Sequence, residues 1–178
     1  MPSESIVPLP TPASAADLQM LAGLLTACVE HGASIGFVLP LASAEVEAYW
    51  AKVLAEAARG TRTILVAREH GTGRIVGTVQ LAAETRANGR HRGEVQKLLV
   101  LPGARRSGLG SRLMAAIEAV AAERTLRLLY LDTSAGRGGA VAFYSKLGYS
   151  FAGGIPEYAR DPDGTLDANA IFYKLLAR

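Results

Sequence analysis

An α/β (α+β) protein, a mixed sheet with helices on both faces, is what the sequence predicts, and three observations predict it. First, Val95 to Leu101 is apolar except for Gln96 and Lys97, the composition of a strand covered on both sides. It runs through Pro102, two arginines and two glycines into Leu109, Leu113, Ile117 and Val120, which recur at helical spacing. Second, Thr63 to Arg68 and Arg74 to Ala83 alternate like strands around His70-Gly71-Thr72-Gly73, a hairpin. Third, a further apolar strand, Leu126 to Asp132, follows the helix, and a right-handed crossover makes it parallel to the strand before that helix.

The remaining elements follow in chain order. Residues 1–14, rich in Pro and Ser, read as a flexible leader ahead of one domain over residues 15–178. Ala15 to His31 forms a helix with Leu18, Leu21, Leu24, Leu25 and Cys28 on its apolar side, stopped by Gly32. Cys28 on that face is core packing and not a catalytic thiol. After the apolar loop 33–40, Ser43 is expected to cap a second helix that carries Trp50, Val53 and Leu54. Thr85 to Gly93 is a polar, basic loop, and its His91, like His31 and His70, reads as solvated. A Gly-rich turn at 135–139 leads to a short helix, AVAFYSKLGY, then strands near 149–152 and 168–175 with the turn-rich EYARDPDG between them.

Composition narrows the function classes. With 49% hydrophobic and 20% charged residues in 178, the chain can bury a sizeable core and is not disordered. The net charge of +3 comes from scattered residues, so nucleic acid is not expected as a partner, and an anionic cofactor explains the bias as well. No apolar run reaches membrane-spanning length. The single cysteine allows no internal disulfide, which agrees with a reducing cytoplasm.

The strand–turn–helix at 94–110 carries the chemistry. A helix start offers unpaired backbone N–H groups and the positive end of a dipole, and glycine lets a ligand approach them. Arg105 and Arg106 add charge. The reading is an anion site for a phosphate or pyrophosphate. Val100-x-Pro102-x-x-Arg105-x-x-Gly108-x-Gly110 resembles the acetyl-CoA signature of the GCN5-related N-acetyltransferases (GNAT), and Ala140-x-x-Phe143-Tyr144-x-x-x-Gly148-Tyr149 resembles their later helix and Gly-aromatic block. The resemblance implies a mostly antiparallel sheet splayed between two parallel strands. It implies acetyl-CoA as co-substrate, its pyrophosphate on Arg105, Arg106, Ser107, Gly108, Leu109 and Gly110, with Leu99 and Val100 pairing through backbone and the Val100 N–H polarising the thioester carbonyl. Arg137 stands where the family commonly has Asn, and a CoA phosphate is its expected contact.

Acyl transfer to an amine needs a base and an acid. By resemblance Tyr144 is the general acid. Glu94 begins the central strand, on the same face as Val100 by period two unless a bulge intervenes. Asp132 ends the neighbouring strand, where open sheets bind ligands. Either carboxylate, or both through water, serves as base, and no metal is called for. Ile35, Phe37 and Tyr158 are expected at the acceptor's mouth. Stretches including HGASIGF (31–37), LYLDT (129–133) and the loop around Tyr158 resemble a branch of the family acting on amino-acid-like toxins, implying a small primary amine as partner. Aminoglycosides, polyamines and protein N-termini stay open as acceptors, weakly opposed by Arg86, Arg90, His91 and Arg92. A non-catalytic CoA-binding sensor and a homodimer stay open too.

Overall fold

The computed structural model describes residues 3–136 and 139–177. Seven strands form one mixed sheet: β1 (Glu4–Pro8), β2 (Arg62–Glu69), β3 (Ile75–Ala83), β4 (Arg92–Val100), β5 (Leu128–Ser134), β6 (Ser150–Gly153) and, last in the chain, β9 (Asn169–Leu175). Their spatial order is β1-β2-β3-β4-β5-β9-β6. Every neighbouring pair is antiparallel except β4 and β5. A separate two-stranded hairpin, β7 (Ala159–Arg160) and β8 (Leu166–Asp167), forms within the loop read as turn-rich.

Helices α1 (Ala15–Glu30) and α2 (Ser43–Ala58) cover one face of the sheet, and α3 (Leu109–Glu123) and α4 (Ala140–Lys146) the other. Two cores result. Leu21, Leu24, Leu25, Trp50 and Ile64 build the first; Leu81, Val95, Leu113, Ile117, Leu129 and Phe172 build the second. Ser14 caps α1, its hydroxyl accepting from Asp17 N–H at 3.1 Å.

Two local readings change. Glu4–Pro8, placed in the leader, pairs with β2 along its full length, and the Glu4 carboxylate accepts from Arg112 of α3. Partners fifty or more residues away make this strand, so its own composition hides it. Ser43 is the first residue of α2 and not its cap; Ala42 takes the cap position without a side-chain bond.

The feature that positions the site is the parallel pair. β4 and β5 are joined only through Arg92, Gly93 and Glu94 against Leu128, Leu129 and Tyr130. Beyond these three rungs the strands part, leaving 95–100 and 131–134 facing a wedge. A bulge in β4 accompanies the parting. Thr78 pairs with Leu99 but Gln80 with Gln96, so β4 carries one residue more than β3 between those rungs, and Lys97 turns to φ 49°.

Candidate active site

The bulge decides which side chains meet. Val95 packs into the α3/α4 core, whereas Leu99, four residues on, packs into the α1/α2 core. Period two would have put both on one side. The inserted residue reverses the parity, so Val100 joins the α3/α4 core and Glu94 faces the opposite way from it. The same-face expectation for Glu94 and Val100 therefore fails, for the one physical reason that could overturn it.

On the α3/α4 side of the wedge lies the turn into α3. Gly108 holds φ 80° at the helix cap and no side chain caps it. Arg106 sits at φ 64°, so two left-handed residues fold the backbone into a concave turn ahead of the exposed amides. Among the described residues, nothing would lie within 4 Å of a Cβ on Gly108. Ser107 Oγ donates to Ala104 O at 2.8 Å, holding the loop shut behind the turn. Arg105 and Arg106 are exposed. These features fit a diphosphate: bare N–H donors, a dipole's positive end and two guanidinium groups. Leu109 is buried, and a Cβ on Gly110 would press on Phe143 of α4 at 3.4 Å, so α3 and α4 start close together.

The end of β4 presents its main chain to the wedge. Leu101 N–H donates to Val76 O of β3 at 2.9 Å. Alternation along a strand then turns the Val100 N–H to the other edge, toward β5. The Val100 carbonyl takes no ladder bond from β5; it accepts from Arg105 Nε at 3.2 Å and from the Cys28 thiol at 3.6 Å. Burial pushes the Cys28 thiol up, away from the thiolate a nucleophile needs, and its neighbours are core residues, as the sequence reading expects.

Tyr144 comes from α4. Its ring packs against Phe143, Tyr149 and Phe172 at centroid distances of 5.1–6.0 Å. Burial, with the Asp132 charge nearby, pushes its phenol up to about 12. The group is thus held protonated across the neutral range.

The α1/α2 side of the wedge holds the other candidates. Glu94 and Tyr130 are paired neighbours on β4 and β5. Burial first, then the Glu94 charge, raises the Tyr130 phenol. Asp132 lies two residues further along β5 and is exposed at the opening. Lys97 reaches in from the bulge. Its ammonium donates to Ile35 O at 2.6 Å and stands over the Tyr49 ring, 5.6 Å from the centroid. Burial lowers its pKa, against the charges of Asp132 and Glu94. Lys97 and Tyr130 were not singled out from the sequence. The signal existed: two adjacent polar residues, Gln96 and Lys97, break the apolar run where the bulge forms.

Loops close the α1/α2 side of the wedge, where the acceptor residues were expected. Ile35 is tied to β4 through its carbonyl, Phe37 is buried edge-on against Tyr49 at 5.5 Å, and Leu39 N–H donates to Pro162 O at 3.2 Å. The 33–41 loop and the β7–β8 hairpin therefore touch. Tyr158, just before that hairpin, is 53% exposed. Ser134 Oγ donates to Asp167 at 2.5 Å, anchoring the hairpin to the end of β5. Arg137 lies outside the described residues. The basic loop stands at the paired end of β4, where Arg86 and Arg92 both bind Glu84, at 2.6 and 3.0 Å. Their charge is partly spent there, so they weigh little against a polycationic acceptor.

The wedge between the parallel strands thus has an uncapped helix start with two arginines on one side and two carboxylates on the other. Comparison with known proteins identifies the family and the fold. Residues 24–149 match the model of the acetyltransferase (GNAT) family. An "IAA acetyltransferase" from Azospirillum brasilense is 36% identical over 98 residues, 55% of this chain and 61% of that protein. The chain thus spans less than two thirds of that relative's length. Among solved structures, a ribosomal-protein-alanine N-acetyltransferase from Brucella melitensis superposes with TM-score 0.78 at 23% identity, covering 97% of this chain and 99% of that one. A phosphinothricin acetyltransferase from Sinorhizobium meliloti, in complex with AcCoA, superposes with TM-score 0.79 at 18% identity, covering 99% and 90%. At these identities the structures testify to the fold.

Proposed function

The chain belongs to the acetyltransferase (GNAT) family, and from that premise we propose that it moves an acetyl group from acetyl-CoA directly to the primary amine of a small, amino-acid-like molecule. The observation that carries the reading is the parting of β4 from β5 after Glu94, with an uncapped helix start on one side and Glu94, Tyr130 and Asp132 on the other.

Acetyl-CoA supplies an activated acyl group when bound. The amides at 106–110 and the guanidinium groups of Arg105 and Arg106 hold its diphosphate, and Leu99 and Val100 offer main chain to its arm. The Val100 N–H, turned to the wedge, stabilises charge developing on the carbonyl oxygen, an effect worth a few kcal/mol. An ammonium acceptor must lose a proton before it attacks; Glu94 and Asp132 face the acceptor side and take it, directly or through water. Tyr144, protonated at neutral pH, gives a proton to the departing sulfur. Ile35, Phe37 and Tyr158 wall the acceptor. The amino-acid-like class is supported by the pieces HGASIGF, LYLDT and AFYSKLGY, which resemble those of the tabtoxin resistance protein.

The test is thiol release from acetyl-CoA across a panel of primary amines. Turnover of a small amine is expected. Tight CoA binding without turnover of any amine would make the protein a sensor, and a burst leaving acetylated enzyme would exclude direct transfer. In Glu94→Gln, turnover is expected to fall by about 10²–10⁴-fold, with a flattened rise with pH; wild-type pH behaviour would remove Glu94 from the mechanism.

A further inference from the structure

We propose that the Lys97 ammonium anchors a carboxylate on the acceptor, so that the site takes a zwitterionic amino acid with its acid at Lys97 and its amine toward Glu94 and Asp132. This rests on the acyl-transfer reading above.

Lys97 occupies the bulge residue itself, at φ 49°, a conformation that non-glycine residues adopt at a cost of about 1–3 kcal/mol and keep where the surroundings impose it. The effect is to swing a long cationic side chain into the wedge from a strand otherwise committed to two apolar cores. An ammonium has three donors. Ile35 O takes one at 2.6 Å, and the Tyr49 ring face lies 5.6 Å from the nitrogen. Among the described residues Lys97 forms no ion pair, whereas Arg68, Arg112 and Lys174, also partly shielded, each hold a carboxylate: Asp17, Glu4 and Glu118. The Asp132 and Glu94 charges favour the ammonium from beyond ion-pair reach, so it has no carboxylate in direct contact, a shielded environment that a ligand's carboxylate would improve.

The placement suits an amino acid. Glu94 and Lys97 stand three residues apart on β4, the bulge brings both to the α1/α2 side, and Asp132 of the neighbouring strand acts on the same ammonium. Ile35, Phe37 and Tyr49 bound the same space with apolar surface, so the anchored carboxylate would sit where water is scarce and its bond to the ammonium counts for more.

Steady-state thiol release with L-amino acids, each paired with its carboxamide, tests the assignment. In the wild type the acids should show a KM about ten- to a hundredfold below the amides. In Lys97→Met, which keeps the stem and removes the charge, the ratio should collapse to near one. A preserved ratio, with acid and amide losing equally, would reduce Lys97 to a staple for the 33–41 loop and overturn the proposal. An indifferent wild type would overturn it too, and decides the matter alone should the variant not fold. If the wild type acetylates no amine, the acyl-transfer reading fails, and calorimetry with CoA present separates the two claims. Binding of N-acetyl-L-alanine over its amide, lost in Lys97→Met, would still support the anchor; equal binding would sink it.

Discussion

Arg62 and Lys97 both bring a positive charge under α2, and they are treated in opposite ways. The Arg62 side chain is 9% exposed and held by three partners. Its Nε donates to Glu56 at 2.7 Å, and its Nη1 to Gln80 and Gln96 at 2.8 and 2.7 Å. Gln80 in turn donates to the Tyr49 hydroxyl at 3.0 Å. The network ties α2, β2, β3 and β4 together. Lys97, one residue past Gln96, has a carbonyl and a ring face in place of a carboxylate. A planar guanidinium with fixed donors suits a permanent polar network, and a compact ammonium on a flexible stem suits a partner that comes and goes. The contrast teaches that one cation is locked into the fold, while the other is the one we propose to meet a ligand.

The largest break in that comparison should come from Arg62→Met. It strands Glu56 and two glutamine oxygens, and a loss of about 2–4 kcal/mol is expected in urea unfolding. A loss under about 0.5 kcal/mol would place Arg62 with the dispensable surface charges. Lys97→Met should behave the other way, leaving stability unchanged or raising it by up to about 1 kcal/mol. The sign follows from the lowered pKa: the fold disfavours the charged form at neutral pH, a penalty relieved as pH rises through the folded value toward the unfolded one. A drop beyond about 2 kcal/mol on thermal melting would make Lys97 structural. The smallest effect concerns two phenols. Burial pushes Tyr49 and Tyr144 up to about 12 from an ordinary 10, so their contribution is complete below pH 10 and is lost as pH rises toward 12. Tyr144→Phe should flatten part of that alkaline decline; an unchanged decline would mean the Tyr144 phenol titrates normally.

The helices and the strand order along the chain were legible because each buries a face at its own period. α1 and α3 show their apolar spacing plainly, and the turn between β4 and α3 announces itself through Pro102, Arg105, Gly108 and Gly110. What was hidden depended on partners. β1 is a strand because β2 offers it an edge. The hairpin at 159–167 is held by Asp167 against Ser134, from distant parts of the sequence.

Residue types and their order determined the family, the candidate anion-binding turn and the identity of the acid and base candidates, since those follow from local chemistry that composition and spacing record. Tertiary structure alone decided which candidates share a face. A single extra residue in β4, forced by its register against β3, reversed the parity beyond Gln96, turned Glu94 away from Val100 and delivered Lys97 into the wedge. Register is a property of two strands together, so one strand's sequence could not have contained it.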